Sequence, residues 1–518
     1  MAVITSSLES QPIQSDGAPL MLGGYAAMAE SAWMGSVQAT EVLEPLKTAP
    51  GAAPRWQTVV PRLPRLQLAG LYTRELSVAE ASFVLMASFF TSALLGAVRQ
   101  VLFNAQFGTG LEANAYYAAF RLPDTLFSLI AGGALSSAMI PVLLSTLQAG
   151  GKQAGWRLTN LVLTTLLAVF ALVVLAGEIF APTFVNSLLA PGFDEQTSQL
   201  TIRLTRIMLV QPLVLAIGSV ATAVLNSRNQ FVPTALSILG HNVALIAGIM
   251  AARYYPGLGI YGPTLGVVGG ALLQAMIMLP AFMDPGAGFA LRWNPFDERL
   301  REIVRLLIPN GLSVSVNYAG FIVDTAFASR APEMAGLAAL YNAWLLVGLP
   351  IALLGQAIGQ AAFPRLSAQA ASKNWPQMRR ALFQSMAAAI GLAIPALLAL
   401  LFLGRPVIRL LFERGMFDAA AGDLTFSVLT VYALALPAYV ATELVTRGLI
   451  ALRDTRTPLI TNTFQLIGRA AIMGALIGRY GVIAIPVAFA LTASAETVIL
   501  TAILLLKLQR RIAASREI

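Results

Sequence analysis

The chain has 518 residues, 57% of them hydrophobic and 11% charged, with a mean hydropathy of +0.73. A soluble domain carries about 25% charged residues, so this is the composition of an integral membrane protein. The chain has no cysteine and one histidine, His241, which excludes disulfides, thiolate metal sites, Cys nucleophiles and histidine clusters; its net charge of +9 marks cytoplasmic loops and no nucleic-acid surface.

Residues 1–75 form a separate region rich in Ala, Gly, Pro, Ser and Gln. No basic residue precedes Lys47, and no apolar run follows it closely, so a secretory signal is not expected. The composition predicts a disordered or interfacial cytoplasmic tail, with room for a short amphipathic helix around Trp56–Leu71. A spanning helix needs about 20 mostly apolar residues. In the first half such stretches lie near 78–104, 114–147, 157–181, 200–226, 232–253 and 261–283. In the second they lie near 301–329, 335–365, 378–403, 422–449, 457–478 and 481–507. The expected fold class is an all-α polytopic membrane protein of about twelve spans, in two six-helix lobes, 76–285 and 286–518, around a central cavity.

Basic residues set the expected orientation. With the N-terminus inside, 23 of the 34 Lys and Arg fall on the cytoplasmic side and eight outside, leaving Arg99, Arg121 and Arg469 within spans. The bias predicts both termini in the cytoplasm. The halves also look alike. Gly132–Pro141 in the second span parallels Gly355–Pro364 in the eighth, 223 residues on, and Leu225–Pro233 parallels Ile450–Pro458, 225 residues on. Six spans per half give both halves one orientation, a parallel repeat with a substrate site expected between them. Pro123, Pro141, Pro212, Pro309, Pro350, Pro395 and Pro437 are expected kinks.

Several stretches carry a family resemblance. Gly96-Ala-Val-Arg99 is followed by Phe107-Gly108, and Ala119-Phe-Arg-Leu-Pro123 runs on to Gly133-Ala-Leu-Ser136. Leu189-Ala-Pro-Gly-Phe193 precedes Arg206-Ile-Met208. The second half has Leu411-Phe-Glu-Arg-Gly-Met-Phe-Asp418 and Arg453-Asp-Thr-Arg-Thr-Pro458. With these the chain resembles, as a divergent member, the MurJ (MviN) lipid II flippases of the MOP superfamily, which also holds MATE exporters. The resemblance implies a V-shaped cavity between two lobes that opens alternately. It implies movement of a polyprenyl-diphosphate-linked peptidoglycan precursor from the inner to the outer leaflet of the bacterial cytoplasmic membrane, with no bond made or broken, in the service of peptidoglycan synthesis, cell wall and cell shape. It implies as partners the lipid-linked precursor, the bilayer and the cell-wall synthesis machinery, and no nucleic acid. The chain departs from the family pattern at five cavity positions: Ala93, Phe127 and Trp344 or Leu345 stand where arginines are usual, and Asn114 and Gly132 where acids are. Members also carry two further helices forming a lipid-tail groove, without counterparts among the twelve spans.

The intramembrane polar residues are the site candidates, since ionisable groups within spans are functional by default. No catalytic or metal-ligating set is expected. Arg99 and Arg121, with Ser92 and Asp124, are expected at the substrate: a guanidinium grips a diphosphate with a planar fork of donors. Asp124 lies three residues after Arg121 and can pair with it instead. Asp324 matches an acidic position that binds sodium in some members. With Arg469 at comparable depth, the two form either a coupling-cation site or an interhelical salt bridge, the second being favoured because an arginine repels a cation. No cofactor is expected beyond a coupling cation, Na+ or H+, or the membrane potential. His241, Glu443 and Glu496 are weaker candidates, and Asn310, Asn317, Asn342 and Gln465 expected interhelical hydrogen-bond partners. Three alternatives stay open: a flippase for another lipid-linked oligosaccharide, a MATE-like exporter, and a non-transporting scaffold.

Overall fold

The computed structural model describes residues 74–131, 134–283, 290–333 and 335–514. The expected N-terminal tail and its amphipathic helix lie outside these residues, save for residues 74 and 75, as do the side chains of Asn310 and Asn317.

The described residues form helices and connecting turns, with no strand among them. In the first half α1 is Val78–Phe107, α2 Leu111–Ala131, α3 Ala134–Phe184, α4 Glu195–Met208, α5 Val210–Ser227, α6 Val232–Tyr254 and α7 Tyr261–Met278. In the second, α8 is Glu298–Ala328, α9 Gly336–Pro350, α10 Ala357–Ala371, α11 Trp375–Leu411, α12 Ala419–Leu434, α13 Leu436–Ala451, α14 Arg456–Tyr480 and α15 Ala484–Ala514. Local chemistry sets several starts. Ser77 and Glu80 make a reciprocal capping box at α1, and Asp194, Asp297 and Asp418 accept backbone N–H groups at the first turns of α4, α8 and α12.

These helices make twelve crossings. Eight runs among the described residues are long and apolar enough to span a membrane, or nine with α12 and α13 joined across their 45° bend. Two of the eight hold two crossings each. α3 breaks at Gly151, φ 65°, and reverses there: a Cβ on Gly155 would stand 2.4 Å from the Leu147 side chain, an approach no straight helix allows. α14 and α15 fold back at Gly481, φ 56°, so that Thr461 meets Glu496 and Asp454 meets Lys507. The twelve crossings are α1, α2 with the first part of α3, the rest of α3, α4 with α5, α6, α7, α8, α9 with α10, α11, α12 with α13, α14, and α15. Outward faces carry bare apolar side chains such as Phe83 and Phe90 of α1 and Phe464 and Ile467 of α14, as lipid contact requires.

The backbone repeats across the halves. Positive-φ turns fall at Gly151 and Lys373, at Asn229 and Arg453, and at Gly259 and Gly481, separated by 222, 224 and 222 residues. The Asn229 and Arg453 turns share their hydrogen bonds: Gln230 N–H reaches Leu225 and Asp454 N–H reaches Leu449, each at 3.0 Å. The fourth and tenth crossings break alike, at Leu209 just before Pro212 and at Ala435 just before Pro437. Pro350 ends α9 at a π-helical stretch, Ile351–Gln356.

Within each lobe small residues bring helices close. A Cβ on Gly248 of α6 would lie 2.5 Å from the Gly262 carbonyl of α7, so only glycine lets these backbones meet. α8 leans on both lobes: Leu300 and Ile303 pack with α3 and α5, and its far end meets α2, α9 and α14.

Candidate functional site

The lobes are sewn together at one end, the end bearing the α1–α2, α3–α4, α8–α9 and α11–α12 loops. Met416 N–H donates to the Ala105 carbonyl at 2.9 Å. Gly108 and Gly415, both at positive φ, face each other's strands of chain: a Cβ would lie 2.4 Å from the Met416 carbonyl oxygen and 2.1 Å from that of Ala105. Gly192 N–H donates to Ser329 Oγ at 3.0 Å. Asn114, standing where the family pattern has an acid, accepts the Ala338 N–H at 3.0 Å. Just inside these contacts lies a buried amide cluster. Gln100 Nε2 lies within donating reach of three oxygens, those of Tyr117 at 2.6 Å, Asn104 at 3.0 Å and Asn342 at 3.0 Å, and Asn104 Nδ2 donates to Asn342 Oδ1 at 2.7 Å. The Tyr117 and Tyr341 rings stack beside it, 4.2 Å apart. The expected interhelical role of Asn342 is thus an interlobe one, with Gln100 and Asn104 as partners.

One step deeper, the structure draws most of the candidate charges together. Arg121 of α2 sits over the rings of Phe321 and Tyr341, 5.1 and 5.6 Å from their centroids, so a first-lobe arginine caps aromatics of the second lobe. Asp124 is buried and within its electrostatic reach. Asp324 of α8 pairs with Arg469 of α14, as the salt-bridge reading expects, and also feels Arg121. Arg469 lies 4.8 Å over the Phe489 ring, and Trp344 packs edge-on against Phe321, Tyr432 and Phe489. Arg121, read in the sequence apart from the Asp324–Arg469 pair, joins it in one network across the lobes.

Arg99 stands elsewhere. It is 6% exposed and donates to Asn242 Oδ1 of α6 at 3.3 Å. Asn242 in turn donates to Ser92 Oγ at 2.8 Å. His241 packs beside this group against Gly270, whose Cβ would stand 2.8 Å from Nδ1. Arg99 and Ser92 are therefore joined within the first lobe through Asn242, a partner the sequence reading did not assign to them.

The second lobe holds a small open cavity, of about 60 Å3, between α8, α9, α13, α14 and α15. Its charged wall is Glu443, Arg447, Arg469 and Glu496, with Asn462 and Gln465 between them and Trp344 and Phe489 at one side. Sequence reasoning found the two glutamates singly but not the cavity, since Arg447 looks like a cytoplasmic-side positive charge. Among the described residues no group of three or more His, Cys, Asp or Glu could hold a metal ion.

The comparisons with known proteins bear on this architecture. The lipid II flippase MurJ family profile matches residues 103–516. The chain belongs to this family. It is 28% identical over 375 residues to a probable lipid II flippase MurJ of Rhizobium meliloti, covering 71% of this chain and 70% of that one. It is 29% identical over 387 residues to the lipid II flippase MurJ of Burkholderia cenocepacia, covering 73% and 74%. Among solved structures it is similar to a lipid II flippase MurJ in an inward closed conformation, with TM-score 0.68, 23% identity and coverage of 80% and 86%. An inward-facing MATE transporter of the MOP superfamily gives TM-score 0.70 at 15% identity, covering 84% and 99%. The fold is that of the MurJ and MATE transporters: the twelve crossings fall into two six-helix lobes.

Proposed function

We propose that this chain flips lipid II, the polyprenyl-diphosphate-linked peptidoglycan precursor, from the inner to the outer leaflet of a bacterial cytoplasmic membrane. Membership of the lipid II flippase MurJ family carries this reading. The physics agrees, because a diphosphate–sugar–peptide headgroup cannot enter hydrocarbon unaided. Two lobes hinged about a polar centre give it a shielded path while the tail stays in lipid.

In this reading both termini are cytoplasmic and the sewn end faces outward, so the state described opens toward the cytoplasm. Arg99 and Arg121, with Ser92 and Asp124, meet the headgroup. A guanidinium has five donors, so Arg99 can keep Asn242 and still offer a bidentate face to a phosphate. Arg121 leaves Phe321 and Tyr341 when the seam parts, which ties seam opening to the charge of the cargo. The Asp324–Arg469 pair is structural, its arginine standing where a coupling cation would otherwise sit. The partners are the precursor, the bilayer and the cell-wall synthesis machinery.

The test is replacement in a bacterium depleted of its own lipid II flippase. Growth should be restored by the chain, abolished by Arg99→Ala at equal abundance, and partly kept by Arg99→Lys, which preserves charge but not the planar fork. Normal growth with Arg99→Ala would remove Arg99 from the substrate path. Failure of the unaltered, membrane-inserted chain to restore growth would favour a different lipid-linked headgroup.

A further inference from the structure

The second-lobe cavity has an uneven charge count. Its wall carries Glu443 and Arg447 from α13, Arg469 from α14 and Glu496 from α15. Arg469 is engaged by Asp324 of α8. Two glutamates remain against the one guanidinium of Arg447, an excess of one carboxylate. Both glutamates are 6% exposed. Glu496 Oε1 accepts a hydrogen bond from Thr461 at 3.1 Å. Glu443 lines the cavity without a hydrogen-bond partner among the described residues. The neighbouring chain approaches through glycines: Cβ atoms on Gly355 and Gly359 would stand 3.2 Å from Glu443 Cγ and 2.9 Å from Arg447 Nε, so these two positions offer Glu443 no side-chain donor. Glu496 feels the charge of Glu443. A second buried carboxylate beside a first, with one cation between them, is held at far lower cost once it has bound a proton or a cation.

We propose that Glu443 and Glu496 share one exchangeable proton, making this cavity the proton site of the transporter. Only the coupling of that proton to lipid transport rests on the flippase reading. A proton fits better than sodium, because Arg447 and Arg469 in the same wall repel a metal cation, whereas a proton yields a neutral carboxyl group. The Thr442 hydroxyl, which could add an oxygen ligand, lies 2.6 Å from the Thr497 hydroxyl, and the two are hydrogen-bonded to each other. The other titratable groups facing the pair are few. α8 brings Asp324, already paired; α12 brings Tyr432 and α13 Tyr439, beside Arg469 and Phe489; α9 gives Trp344, and neither α10 nor α11 places a charged side chain in the described wall.

Infrared spectroscopy of the full chain in lipid nanodiscs tests this directly. A protonated carboxyl gives a deuterium-sensitive carbonyl stretch apart from the amide bands. At neutral pH the protein should show this band, and either Glu443→Gln or Glu496→Gln should abolish the part due to this site, since the remaining carboxylate is then matched by Arg447. Both variants keep a neutral side chain of the same shape, so unchanged melting temperatures should show that they fold. A band that survives in both variants, or is lost in only one, overturns the shared proton. So does a rise in wild-type melting temperature when sodium replaces choline that is missing in both variants, which would identify a sodium site. The spectrum needs no lipid substrate, so its failure leaves the flippase reading standing, and a failed flippase test leaves the proton site standing.

Discussion

The interlobe seam and the second-lobe cavity are both buried and polar, yet they are built from opposite chemistry. The seam uses neutral groups: Gln100, Asn104, Tyr117 and Asn342 satisfy one another, and Gly108 and Gly415 bring backbone onto backbone. The cavity uses charges in unequal number, with Glu443 short of donors. A contact that must part and reform in each cycle is better made of neutral hydrogen bonds, which exchange with water at little net cost. A site that must hold an ion is better left with charge to be answered. Between them lies the Arg121 and Asp324–Arg469 network, which touches both lobes.

Breaking the charged side should do the most damage. Asp324→Ala leaves the buried Arg469 guanidinium without its carboxylate and should cost about 3–5 kcal/mol, read as lost yield and a lower melting temperature. The double change Asp324→Ala with Arg469→Met should recover much of it; no recovery would mean the pair does more than neutralise itself.

The seam should break next. Gly108→Ala or Gly415→Ala forces a side chain into a positive-φ position against backbone, costing about 1–3 kcal/mol in strain before the clash is counted. The loss should fall on the closed state. A cysteine placed at the buried Ala339, in a chain that has none of its own, should label faster with an impermeant thiol reagent in either variant. Unchanged labelling would show that these glycines do not hold the seam.

Smaller losses should follow within the amide cluster. Gln100→Leu strips Asn104, Tyr117 and Asn342 of a shared donor and should cost about 1–3 kcal/mol. Adding Asn342→Leu should cost less than the sum of the single changes, because the two amides share partners.

The smallest effect lies outside the membrane. Burial alone would raise the Asp454 carboxyl, but hydrogen bonds from Lys507 and Thr457 outweigh it and hold the group below its ordinary value. A carboxylate depressed in the folded state adds stability above its unfolded pKa and loses it as pH falls. The difference in melting temperature between the unaltered chain and Asp454→Asn should therefore be present at neutral pH and fade below about pH 4. A difference that grew on acidification would contradict this assignment.

The fold was legible in the sequence because bilayer thickness imposes a length on every span, and the parallel motifs around Pro141 and Pro364 and around Pro233 and Pro458 betray the repeat. The Asp324–Arg469 pair was legible for a similar reason, since two opposite charges at like depth in apolar helices must find each other. The seam was not. Gln100 and Asn104 are single amides in an apolar run, and Gly108 and Gly415 are two glycines among 42. Nor could Arg121 be placed: Phe321 and Tyr341, some 200 residues away, look like any lipid-facing aromatics until the lobes meet. Arg447 lies near the end of the stretch 422–449, where it counts as one of the cytoplasmic-side basic residues, yet the fold buries it in the cavity wall.

The central claim is that the chain moves lipid II outward. Its most direct test uses cells depleted of their native flippase and expressing this chain, in which lipid II at the outer face is measured with an impermeant amine-reactive label that reaches the headgroup peptide. The account predicts that outer-face lipid II returns on expression and is lost again with Arg99→Ala at matched abundance. Lipid II that stays confined to the inner leaflet while the intact chain is present in the membrane would contradict it.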